Sequence, residues 1–480
     1  MLFNSTAFLI FFPVTTIIYY IVPDKYKYIW LLIVSYVFYL SQDGGIALFL
    51  VISTVLTWIT GYILYNVNID KRKILLFICV ILNLVPLLVF KYANFALGLA
   101  GTSKTLNLLV PAGISYYTLQ STSYVIDCFR RKYEPEKNPV RYALFVSFYP
   151  CILSGPIERA GNILPQTEGN DHSFETVRVK EGLMVMLWGY FLKLAVASRL
   201  SILTDMVYDN YSDISGTAVL FGVIAFSLQI YCDFAGYSYI ALGSARILGY
   251  NIICNFKQPY LSGSVREFWR RWHISLSGWF RDYLYIPLGG SRKGNARRYV
   301  NLIIVFTVSG LWHGAELTFL VWGLLHGVLQ TAELILKSAG GRIGNFFLNK
   351  SPGSGARFIQ GVKIAITYAI VTLAWIPFRA SDLSEAGNVF LGLFRDNSVR
   401  HLFDGTIFDL GLGTFNLLFA VVSLLVVFAV DLACNRKNCM IYELFVHANV
   451  PLRWGFYYLL VVLILFSANL STQEFLYQAF

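Results

Sequence analysis

The chain has 480 residues, of which 56% are hydrophobic, 16% aromatic and only 14% charged. A soluble globular chain carries about a quarter charged residues, so a water-soluble enzyme is excluded. The net charge of +11 is explained first by basic loops on one side of a membrane, and no nucleic-acid module accompanies it. In chain order, apolar runs that approach or reach the roughly 20 residues of a bilayer span lie at 6–22, 29–40, 45–67, 74–90, 105–127, 142–157, 182–203, 217–247, 299–314, 315–336, 360–378, 415–434 and 454–470. Some are short, so the pattern predicts roughly ten to twelve transmembrane helices plus a few re-entrant or interfacial pieces. The opening run, "MLFNSTAFLIFFPVTTIIYY", has no basic residue before Lys25 and no small-residue cleavage site. It is expected to be a retained span rather than a signal peptide.

Helices satisfy their own backbone groups in lipid, and no barrel-like alternation is present, so the expected fold is all-α and polytopic. No internal repeat interrupts it. The one linker-like stretch is "KSAGGRIGNFFLNKSPGSGAR" at 337–357. Residues 1–480 are therefore read as a single membrane-embedded domain. The seven cysteines are scattered through mostly apolar segments without a CxxC pair and read as packing residues.

Basic residues fall at alternating ends of the spans. "DKRK" (70–73), "RRKYEPEKNPVR" (130–141), 264–298, Lys337 to Lys363, and "NRKN" (435–438) with Arg453 become cytoplasmic. The region around Asp43, the stretch from Arg379 to Gly413, and both termini then face outward, in a multi-pass protein of the cell membrane.

Residues 264–298 carry eight basic residues and two acids, interleaved with aromatics. On one helix, Arg266, Arg270, His273, Ser277 and Arg281 would form a single polar stripe beside Trp269, Trp272, Leu276, Trp279, Phe280 and Tyr283. Such a helix suits the cytoplasmic boundary, either as an anchor or facing an anion.

Ionisable groups inside spans are costly and draw attention. His313 stands in "SGLWHG" between Gly310 and Gly314. A neutral imidazole there can accept a proton from a hydroxyl, or can sit hydrogen-bonded between helices. His326, 13 residues later, points to another face of a continuous helix and reads as structural. Asp233 is expected to pair with an arginine and order the interior, and Glu316 either orients His313 or marks a span end. No phosphate loop, HExxH, GxSxG elbow or metal-spaced His/Cys cluster occurs, so no metal is assigned.

"NFKQPYLSGSVREFWRRWHISLSGWFRDYLYIPLGGSR" followed by "SGLWHGAELTFLVWGLLHG" closely resembles the membrane-bound O-acyltransferase (MBOAT) family, in its bacterial branch typified by the alginate O-acetylation membrane protein. "KYANF" (91–95), "PAGISYYTLQSTSYVIDCFRR" (111–131), "LSGPIERAGNILPQ" (153–166) and "YCDFAGYSYIALGSARILGYNI" (231–252) resemble the same branch in the same order. The resemblance implies helices around a central tunnel and acyl transfer from a cytosolic thioester to a hydroxyl on the far side of the membrane. It places the family's histidine on His313 and its second motif residue on His273. The tail Phe475-Leu476-Tyr477-Gln478-Ala479-Phe480 is similar to a tail of related cell-wall acylation systems, which makes Tyr477 a candidate acyl acceptor. Tyr239 stands where relatives commonly have Asp, and Glu316 where Asn is frequent.

The expected chemistry follows from that resemblance. Acetyl-CoA or another acyl thioester is the donor substrate, with no bound cofactor. Arg270, Arg281, Arg292, Lys293 and Trp312 are the expected donor-binding residues, His313 the general base, and His273 an orienting group. The acyl group passes through Tyr477 or a partner serine to an extracytoplasmic, esterase-like acetyltransferase that modifies a polysaccharide. The rivals are D-alanyl transfer to teichoic acid from a carrier protein, a transporter of acyl donor or lipid-linked sugar without chemistry, and a structural scaffold.

Overall fold

Ser5 starts the first helix, α1 (Thr6–Ile21), by accepting the Phe8 N–H on its hydroxyl at 3.2 Å. The computed structural model describes residues 1–41, 47–67, 69–102, 106, 108–168, 172–338, 354–402, 404–405, 410–446 and 448–467. Among them there is no strand. Eight helices among the described residues are long and apolar enough to cross a membrane: Ala47–Asn66, Lys71–Gly98, Thr176–Asp209, Gly216–Ile247, Leu317–Ser338, Arg357–Arg379, Gly413–Lys437 and Val450–Ser467. The protein is an all-α polytopic membrane protein.

Two predicted spans take other forms. The run 142–157 breaks into α6 (Pro139–Ser147) and α7 (Tyr149–Ile152), with Phe148 extended between them. Pro150 has no N–H to continue a helix, and its ring would clash with the carbonyl one turn back, so it is accommodated in a new first turn. The run 105–127 becomes helical only at α5 (Ile114–Phe129), after Pro111 and after Gly113 at φ 72°.

The chain forms two compact units, Met1–Gly189 with Tyr237–Cys254, and Tyr190–Gly236 with Asn255–Phe480. In the first, α3 (Ala47–Asn66), α4 (Ile69–Leu99) and α5 are joined by buried polar groups. Asn83 accepts from Ser53 at 2.6 Å, and its amide donates to Ser121 and Thr122 at 3.0 Å each. The motif around α8 (Ala160–Glu168) grips the chain that follows α11 (Gly216–Ile247). Glu158 accepts the Ile253 N–H and the Asn162 amide, while Gln166 exchanges bonds with both backbone groups of Asn251. Burial holds the Glu158 carboxyl above its ordinary range, against the pull of those donors. Nearby, His172 stacks on Tyr250, 4.8 Å between centroids.

In the second unit the helical path opens into a π segment at Phe191–Ala197. There Lys193 forms a buried ion pair with Asp233 of α11. The cation that meets Asp233 is thus a lysine, where an arginine was expected. Further along, α14 (Gly294–His313) and α15 (Leu317–Ser338) form a tight antiparallel hairpin. A Cβ on Gly310 would collide with the Phe319 carbonyl, and one on Gly323 with the Phe306 carbonyl, so only glycine permits this approach.

Candidate active site

The segment 264–298 is not one helix. Ser264 caps α12 (Val265–Arg271) by accepting the Glu267 N–H at 3.2 Å. At His273 the backbone turns left-handed, φ 43° and ψ 56°, before α13 (Ile274–Phe280) begins. That break corrects the single polar stripe expected from the sequence: Arg266 and Arg270 stand on one short helix, Ser277 on another, and Arg281 in a π segment, Arg281–Tyr285.

The unusual backbone at His273 has a visible cause. Asn255 accepts the Ile274 N–H on its carbonyl at 3.0 Å and the Ser275 N–H on its side chain at 3.1 Å. One residue thereby satisfies two of the open donors of α13, and the turn that results aims His273 inward. Its ring is 1% exposed and meets Phe234 edge-on at 4.6 Å. Neither ring nitrogen has a hydrogen-bond partner among the described residues. His273 lies outside the spanning helices, and burial pulls its imidazole down to about 3, so the ring is neutral.

His313 is the last residue of α14. Gly314 leaves the helix fully extended, φ −169° and ψ 170°, and α15 starts three residues later. The imidazole is 3% exposed and stands among three aromatic rings. Trp312 lies at 4.9 Å, Trp322 at 5.1 Å and Phe378 at 5.3 Å, all steeply inclined to it. Trp312 also reaches His273, with centroids 6.3 Å apart. One indole thus touches both histidines singled out in the sequence, 40 residues apart.

The other expected residues are distributed around this centre. Arg270, Arg292 and Lys293 are exposed. Arg281 is also exposed, and Asp282 neutralises it at 2.8 Å. Glu316 is exposed at the hairpin turn. His326 is fully buried and shares Trp322 with His313, at 5.1 Å. The angular argument that separated these two histidines assumed an unbroken helix, which Gly314 interrupts. Tyr477 lies outside the described residues. Among the described residues no group of three or more His, Cys, Asp or Glu side chains is placed to hold a metal.

A profile of MBOAT, the membrane-bound O-acyltransferase family, matches residues 18–343, which include both His273 and His313. The chain belongs to the membrane-bound O-acyltransferase family. Among its relatives, the probable alginate O-acetylase AlgI of Pseudomonas syringae pv. tomato is 36% identical over 82% of this chain and 75% of its own length. The peptidoglycan O-acetyltransferase of Helicobacter pylori is 31% identical over 83% of this chain and 81% of its own. The teichoic acid D-alanyltransferase of Bacillus subtilis is 27% identical over 63% and 79%.

This membrane-bound O-acyltransferase therefore gathers His273, His313 and His326 in one aromatic cluster of its second unit. Sequence reasoning did not find Trp322, Phe378 or Asn255. The i+4 spacing of Trp322 and His326 was available as a signal. The contribution of Asn255 was not, because it acts through backbone groups 19 and 20 residues away.

Proposed function

We propose that this O-acyltransferase is an O-acetyltransferase, a single acyl-transfer domain over 1–480, that moves an acyl group from a cytosolic thioester toward an extracytoplasmic polysaccharide. The observation that carries the reading is His313 itself: a buried imidazole at a broken helix end, linked through Trp312 to a neutral His273. In this scheme acetyl-CoA, or another acyl thioester, docks its anionic part on Arg270, Arg292 and Lys293, with Arg281 available if Asp282 releases it, and its thioester passes Trp312. A tunnel opening to both sides of the cell membrane admits donor and acceptor. His313 takes the proton of the incoming hydroxyl, a contribution on the order of 10² to 10⁴ in rate. His273 orients the donor or fixes the tautomer of His313. The new C–O bond forms as the C–S bond breaks, and the proton passes from His313 to the departing thiolate.

The acceptor is Tyr477 or a serine of an extracytoplasmic, esterase-like partner, with both termini on the outer side. Acetyl is favoured over D-alanyl because the acetylating relatives match at higher identity and over more of the chain. The test is to incubate the purified protein with labelled acetyl-CoA and map the label by peptide mass spectrometry. Acyl-Tyr477 that vanishes in His313→Ala supports the scheme. Product formed without acyl-Tyr477 removes that residue from the route, and turnover surviving His313→Ala overturns the enzymatic role of the imidazole.

A further inference from the structure

His326 has its tautomer dictated by a neighbour. The indole N–H of Trp269 donates to His326 Nδ1 at 3.2 Å, with the two rings edge-on at 5.0 Å. An indole nitrogen only donates, so Nδ1 must be the accepting nitrogen, and the neutral ring carries its hydrogen on Nε2. That N–H is completely buried and has no partner among the described residues.

It is also not alone. Thr318, Trp322 and His326 follow one another at four-residue steps along one face of α15. The Thr318 hydroxyl and the Trp322 indole N–H are likewise buried without a partner among the described residues. Buried polar atoms are nearly always paired, and leaving one unmet is costly. Three such groups stand on one helical face, and the middle one touches both His313 and His326.

We propose that His326 is a further catalytic residue: a fixed hydrogen-bond donor, through Nε2–H, to the carbonyl oxygen of the acyl group while His313 handles the proton. The inference rests on the acyl-transfer reading above. As the acceptor oxygen adds to the thioester carbon, negative charge gathers on the carbonyl oxygen. His326 Nε2–H holds that charge and keeps its own hydrogen. The charge returns as the C–S bond breaks, and the hydroxyl proton travels by way of His313 to the thiolate. Trp269 is the positioning residue, because its indole prevents His326 from placing the hydrogen on the wrong nitrogen.

The experiment follows thiol release from acetyl-CoA by the purified full-length protein in detergent, with thermal melts alongside. His326→Phe is expected to lower kcat on the order of 10²-fold or more, the typical loss of one such donor, with KM for acetyl-CoA held within about threefold. His326→Gln, which restores an N–H donor, is expected to recover part of that loss. Trp269→Phe, which frees the tautomer, is expected to lower kcat several-fold. A folded His326→Phe with kcat within about threefold of the parent overturns the proposal, since a purely packing role predicts that result. If His326→Phe does not fold, the decision moves to Trp269→Phe, where an unchanged kcat overturns it. A parent enzyme inactive with acetyl-CoA, or indifferent to His313→Ala, would instead condemn the underlying acyl-transfer reading.

Discussion

Trp322 meets the imidazole of His313 edge-on, with 5.1 Å between centroids and 89° between planes. The same indole stacks on Trp375 at 5.6 Å, and Trp375 in turn meets Phe378 at 5.3 Å. The histidine is thus oriented by a rigid aromatic wall rather than by exposed loops. Removing the wall is expected to damage the fold and the chemistry together. Trp322→Ala should lower stability by about 3–5 kcal/mol, as large core truncations do, read as the shift of a thermal melt in detergent. Trp322→Phe should lose less of both.

Replacing His313 separates chemistry from packing. His313→Ala is expected to lower acyl transfer on the order of 10² to 10⁴-fold, the range for loss of a general base. Membrane insertion and monodispersity by size-exclusion chromatography should stay as in the parent. Loss of insertion in step with loss of activity would assign the imidazole to structure.

The Lys193–Asp233 pair is buried on both sides. Removing one partner strands a charge, so Lys193→Met or Asp233→Leu alone should cost about 3–5 kcal/mol. The double replacement should regain most of that stability, because it removes both charges. A double-mutant cycle on thermal or denaturant unfolding reads the difference directly.

Acid should weaken the fold in a direction set by its buried histidines. Burial pulls His273 down to about 3 and lowers His172 as well. An unfolded chain protonates its histidines near 6.5, so below that pH it binds protons the folded chain refuses. Stability is then complete above about 6.5 and falls as pH drops toward the folded value, by about 1.4 kcal/mol per unit for each fully shifted group. Melts recorded between about pH 7.5 and pH 5 should show the slope, and His273→Asn should make it shallower.

Glycine at the hairpin contact is the last expectation. Gly310→Ala drives a methyl group into the Phe319 carbonyl and should cost about 1–3 kcal/mol as overpacking. Activity should fall along with stability, because His313 is three residues further on the same helix.

The sequence carried the membrane class and the family well, since apolar length and the quoted motifs are local properties. It carried the backbone less well. The predicted helix through Arg266, His273 and Arg281 was drawn from residue spacing. What breaks it is Asn255, a distant residue whose bonds to the Ile274 and Ser275 N–H groups leave no trace in periodicity. In the same way, His326 was read as pointing away from His313 on a continuous helix. Gly314 resets that geometry, at the boundary between the runs 299–314 and 315–336 that the sequence already separated. Asp233 was expected to meet an arginine; that it meets Lys193 instead depends on a π segment that no repeat of three or four residues announces.

The hairpin of α14 and α15 has a mechanical consequence. Its arms meet main chain against main chain at Gly310 and Gly323, and they carry His313 and His326 respectively. No side chain lies between them at those points to yield under load. The two arms, and the two imidazoles they carry, are therefore held at one offset by backbone contact alone at these points.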